Sequence, residues 1–123
     1  MAQTLQQQRA KFALDQIRDR GHLSKMKKKE FVGHTRGLPA MILMNGLGQA
    51  AAFYRSKGET HGDLYELISE WLRQPGQPYH GKKDLLDGIT QGDMHAYRIA
   101  QAEALALLDW VKKFAKAFME DAP

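Results

Sequence analysis

Residues 40–51 read AMILMNGLGQAA. An apolar run, Ala40–Met44, leads into Gly46-Leu47-Gly48-Gln49-Ala50-Ala51, which fits the pattern G-x-G-x-x-A. That pattern is a permitted form of the dinucleotide-binding fingerprint, and the fingerprint works only at a strand-to-helix turn followed by a second parallel strand. Here the next element spans Asp63–Arg73, where Leu64, Leu67, Ile68, Trp71 and Leu72 recur with helical period. Glu66 stands 20 residues after Gly46, where a ribose-binding acid is expected, yet it lies on the polar face of that helix. With no sheet, the glycines read as part of a helix. There Gly48 with Ala51 and Ala52 forms a small-residue face that lets another backbone approach. Asn45 and Gln49, one turn apart, form a narrow polar strip. It is either solvated or internally bonded, or a subunit contact together with Gly48.

The same period runs through the rest of the chain. Ala10, Ala13, Leu14 and Ile17 mark a first helix over residues 4–20, with Gly21 as its stop. Ser24 caps a second helix to about Arg36. Gly37-Leu38-Pro39 is expected to end it and open a third, because proline suits the first helical position. The third runs to Lys57, with Gly58 as C-cap. Thr60 or Asp63 opens the fourth, Asp63 and Glu66 having capping-box spacing. Residues 74–83, QPGQPYHGKK, form a loop. A short helical turn follows at 84–89, and Asp93 caps a last helix over 94–119. Its stripe is Tyr97, Ala100, Ala104, Leu107, Leu108, Val111, Phe114, Ala115 and Phe118. The expected fold is all-α, a compact bundle of five to six helices with a long C-terminal helix, in a single domain over 1–123.

The 123 residues include no cysteine, which excludes disulfides and thiolate metal sites and fits a reducing, cytoplasmic setting. No signal peptide is evident at the start, MAQTLQQQRAK. Residues 37–54 carry no charge, but Pro39, Asn45, Gln49 and three glycines make them a buried helix rather than a membrane span.

Charge is unevenly spread. Residues 1–36 hold nine Lys/Arg against three Asp/Glu, while residues 37–123 hold nine against eleven. The excess centres on KMKKK, Lys25–Lys29, where cations near a helix N-terminus oppose the dipole. Such asymmetry fits a polyanionic partner or a solvated basic face. Lys112, Lys113 and Lys116 sit near acids and a helix C-terminus, so ordinary pairing suffices for them. Histidines 22, 34, 61, 80 and 95 are scattered without metal-ligand spacing, and no nucleophile motif is present. Asp84 and Asp87 read as surface charge beside Lys82 and Lys83. No catalytic residue, metal or cofactor is expected.

Two segments carry a family resemblance. LPAMILMNGLGQAAAFYRSK (38–57) and YRIAQAEALALLDWVKKFAKAF (97–118) resemble the small α-helical subunit of type III-B CRISPR effector complexes, the Cmr complexes. The carrying elements are Leu38-Pro39, Asn45-Gly46-Leu47, Ala52-Phe53 and Ser56-Lys57. Further along, Tyr97-Arg98, Glu103-Ala104-Leu105 and Trp110-Val111-Lys112 follow in matching order and spacing. The resemblance implies a non-catalytic subunit of antiviral defence that stacks in copies along guide RNA and target RNA. It implies contacts with RAMP backbone subunits, with the large polymerase-like subunit and with copies of itself. Combined with the charge pattern, it points to Arg9, Arg18, Arg20, Lys25, Lys27, Lys28, Lys29 and Arg36 as nucleic-acid-binding residues. They would touch backbone phosphates rather than bases, since Phe12 and Phe31 fit core positions. A helical adaptor with protein contacts only is the alternative.

Overall fold

A computed structural model describes residues 2–120. Among them there are five helices and no strand, with one buried apolar cluster at their centre. α1 (Leu5–Asp19) begins at a reciprocal cap: the Gln7 N–H donates to Thr4 Oγ1, and the Thr4 N–H donates to Gln7 Oε1. This satisfies two of the N–H groups that a helix start leaves unpaired. α2 (Lys25–Lys57) is capped by Ser24, as its sequence position indicates.

α2 departs from expectation in two places. It does not break at Gly37-Leu38-Pro39 but continues through Pro39. The missing proline N–H forfeits one backbone bond. Against that, Phe31, Thr35, Leu38 and Ile42 are fully buried, at spacings of four, three and four residues, and anchor the helical segment in the core on both sides of Pro39. The interruption falls instead at Gly46, whose φ of 85° and ψ of 159° lie outside helical geometry. The two glycines expected within one helix therefore do different jobs: Gly46 is the break and Gly48 lies in the first turn beyond it.

Gly58 (φ 67°) ends α2 as expected and leads straight into α3 (Glu59–Leu72). Neither Thr60 nor Asp63 caps α3. Thr60 is buried and donates to Glu30 Oε1 at 3.2 Å, while Asp63 is paired with Arg20. α4 (Leu85–Gln91) is capped by Asp84, and α5 (Met94–Met119) by Asp93. α5 is about 39 Å long at 1.5 Å per residue. It lies against both α1 and α2, and α2 also packs on α3.

The loop between α3 and α4 is pinned by Tyr79. Its ring is buried over α4, where a Cβ on Gly88 would lie 2.5 Å from Tyr79 Cγ. Only a glycine admits the ring there. No described helix is long and apolar enough to cross a membrane.

Candidate nucleic-acid interface

The eight basic residues singled out from sequence divide into two groups. Arg9 and Arg20 are committed within the fold. Arg9 reaches from α1 to Glu103 on α5, donating from Nε at 2.5 Å and from Nη2 at 3.0 Å. Glu103 also accepts from Trp71 Nε1 at 3.0 Å, so one carboxylate ties α1, α3 and α5 together. The Arg9 and Glu103 side chains are 17% and 7% exposed. Burial alone would raise the Glu103 pKa, but the hydrogen bonds from Arg9, Trp71 and Gln77 outweigh it and hold the carboxyl below its usual range. Arg20 makes a similar fork on Asp63, at 2.8 and 2.7 Å, with its guanidinium over the Phe31 ring. Partners 94 and 43 residues away give no local signal in the sequence.

The others face outward. Arg18, Lys25 and Lys29 are exposed, and Lys28 is half-buried on the first turns of α2. Lys27 lies 3.7 Å from Glu59, and Arg36 donates to Glu120 at 2.6 Å. Exposed pairs of this kind contribute at most about 1 kcal/mol and are readily exchanged for another anion. Lys112, Lys113 and Lys116 on α5, read from sequence as ordinary surface charge, stand beside Arg36 around one open groove of about 430 Å³. A second hollow alongside is lined by Lys29, Val32, Gly33, Arg36, Met119 and Glu120. The fold thus brings the basic segment of α2 to the basic end of α5.

At the α2 break, Asn45 and Gln49 are exposed, but Gly48 faces its own chain. The Leu47 N–H donates to Gln101 Oε1 at 2.9 Å, and the Gly48 N–H donates to Tyr97 Oη at 2.8 Å. Two α5 side chains one turn apart therefore cap the restarted helix. Beside it, Leu43 and Met44 are 71% and 83% exposed.

Other polar groups have structural roles. Asp84 accepts from the Asp87 N–H as a helix cap. His34 and His61 stack, centroids 3.6 Å apart, where α2 meets the start of α3. His34 Nε2 lies 2.9 Å from Thr60 Oγ1. Burial lowers both imidazole pKa values; His61 adds to this at His34, Lys57 adds to it at His61, and Glu30 opposes it at both. Among the described residues, no group of three or more His, Cys, Asp or Glu side chains could hold a metal ion.

A family model described as CRISPR-associated protein (Cas_Cmr5) matches residues 5–118. The chain belongs to this family. A curated Cmr5 relative, "CRISPR system Cmr subunit Cmr5" of Thermus thermophilus, is 31% identical over 85 residues, covering 68% of this chain and 70% of the relative. The crystal structure of a Cmr5 family protein from Thermus thermophilus superposes with a TM-score of 0.79 at 26% identity. That match covers 96% of this chain and all of the other. The all-α architecture expected from helical periodicity is therefore that of a Cmr5 protein.

Proposed function

We propose that this chain is the non-catalytic small subunit of a type III-B CRISPR complex that targets RNA in cytoplasmic antiviral defence. Its copies stack along the guide–target RNA and bridge the RAMP backbone subunits and the large polymerase-like subunit. Membership of the Cmr5 family supports the setting. The observation that carries direct RNA contact is the outward Lys25–Lys29 run on the first turns of α2. Those cations oppose the helix dipole, a local cost that a neighbouring polyanion removes. Arg18, Lys25, Lys27, Lys28, Lys29 and Arg36 then touch phosphates, while Arg9 and Arg20 hold the bundle together. A-form duplexes are read through shape and backbone, which lysine and arginine suit without aromatic partners. Charge reversal at Lys25, Lys27, Lys28 and Lys29 should weaken RNA retention by the assembled complex and flatten its salt dependence. Unchanged retention and slope would remove this surface from the reading.

One observation favours the second reading, an adaptor making only protein contacts. Leu43 and Met44 are exposed beside Asn45 and Gln49 at the α2 break. An apolar pair rimmed by amides suits a neighbouring subunit. In that reading the same lysine reversals leave RNA retention intact.

A further inference from the structure

Arg36 and three lysines from the far end of the chain surround one groove, and sequence gives no reason for that meeting. Lys112 and Lys116 lie one turn apart on α5, about 6 Å along its axis, and Arg36 faces them from α2. The groove continues past Arg36 to Lys29, with Gly33 between them on the same face of α2. A Cβ on Gly33 would meet nothing within 4 Å, so no internal packing requires a glycine there. An exposed mid-helix glycine costs about 1 kcal/mol relative to alanine. Its effect is to leave the α2 backbone open between two cations.

The carboxylates among the described residues leave the groove with an excess of positive charge. Glu120 takes Arg36, and Asp109 takes Lys113 while also feeling the charge of Lys112. Lys29, Lys112 and Lys116 form no ion pair among the described residues. Converged like charges of this kind are unfavourable without an anion between them. Among the described residues no aromatic side chain lines either hollow, so they offer a base nothing to stack on.

We infer that this groove between α2 and the C-terminal part of α5 is a phosphate-binding site for an RNA backbone, with Lys112 and Lys116 as its principal contacts and Arg36 linking it to the Lys25–Lys29 run. The assignment presupposes that the chain meets RNA, as proposed above, and extends the contact to a second helix. An RNA strand then follows one track from the start of α2 to the end of α5.

The test uses the complex assembled with its partner subunits and guide RNA, carrying K112E/K116E or K112Q/K116Q. Binding of labelled complementary RNA is measured across a salt series. The slope of log K against log salt should become shallower by about 1 per lost lysine contact, with assembly intact by size-exclusion chromatography. An assembled variant complex with the wild-type slope overturns the inference. So does failure of K112Q/K116Q to assemble, which would make these lysines a protein contact. The reversal set at Lys25, Lys27, Lys28 and Lys29 separates the two readings. If it flattens the slope and the groove variants do not, the groove fails and the RNA reading stands. If neither changes the slope, both fail.

Discussion

Tyr97 Oη accepts the Gly48 N–H at 2.8 Å, and the same oxygen lies 3.0 Å from where a Cβ on Gly46 would stand. One hydroxyl thus both caps the restarted half of α2 and crowds any side chain at the break. Gly46→Ala meets Tyr97 and also a positive φ of 85° with ψ of 159°, a region essentially confined to glycine. It should lose about 1–3 kcal/mol of stability in urea denaturation. Gly48→Ala places its methyl at 3.5 Å, an ordinary contact, and gains helix propensity. It should be neutral or more stable by up to about 1 kcal/mol. Equal losses at both positions would refute this division of roles.

The buried Glu103–Arg9 pair contributes to the acid sensitivity of the fold. Arg9→Ala leaves a buried carboxylate without its counter-charge and should cost about 3–5 kcal/mol. The folded-state pKa of Glu103 lies below its ordinary value of 4.5. The unfolded chain therefore binds this proton more readily. The pair's contribution is complete above pH 4.5 and drains away as pH falls through the folded value. In Glu103→Gln, thermal melts below that ordinary value should lack this component.

The His34–His61 stack acts in a separate window. Both folded pKa values lie below 6.5, so the unfolded state takes up protons first. The contribution is complete above pH 6.5 and is lost as pH falls through the folded values. The groups that set this balance are Glu30 and Lys57 on α2, with Thr60 hydrogen-bonded to His34. Melts at about pH 7.5 and about pH 5.5 should differ more in the wild-type chain than in His34→Gln/His61→Gln. The excess is about 1.4 kcal/mol for each tenfold loss of proton affinity on folding. An identical pH difference in both would exclude the stack as the source.

Tyr79 should respond in opposite ways to two changes. Its hydroxyl is buried with no hydrogen-bond partner among the described residues, so Tyr79→Phe removes a desolvation penalty and should be neutral or stabilising. Gly88→Ala collides with the ring and should cost more than about 2 kcal/mol by overpacking. Chemical denaturation of the two variants reads both effects.

What was legible in the sequence follows the range of each interaction. α5 was readable with its limits because its apolar stripe is long and Asp93 caps it locally. The α2 break was not. Proline is the stronger local breaker, yet burial of Leu38 and Ile42 carries the helix past Pro39, and Gly46 is singled out by Tyr97 and Gln101 about fifty residues later. The basic residues show the same limit. Charge asymmetry located the Lys25–Lys29 run, but only the fold reveals that Arg9 and Arg20 are bound inward and that Lys112 and Lys116 stand beside Arg36.

Whether the chain serves as an RNA-bound subunit is decided most directly by purifying it, tagged, from its native host and analysing everything that elutes with it. RAMP-type backbone subunits, the large polymerase-like subunit and a short guide RNA should be recovered together in fixed ratio. Recovery of the chain alone, or with unrelated proteins and no guide RNA, would show that it does not work as proposed.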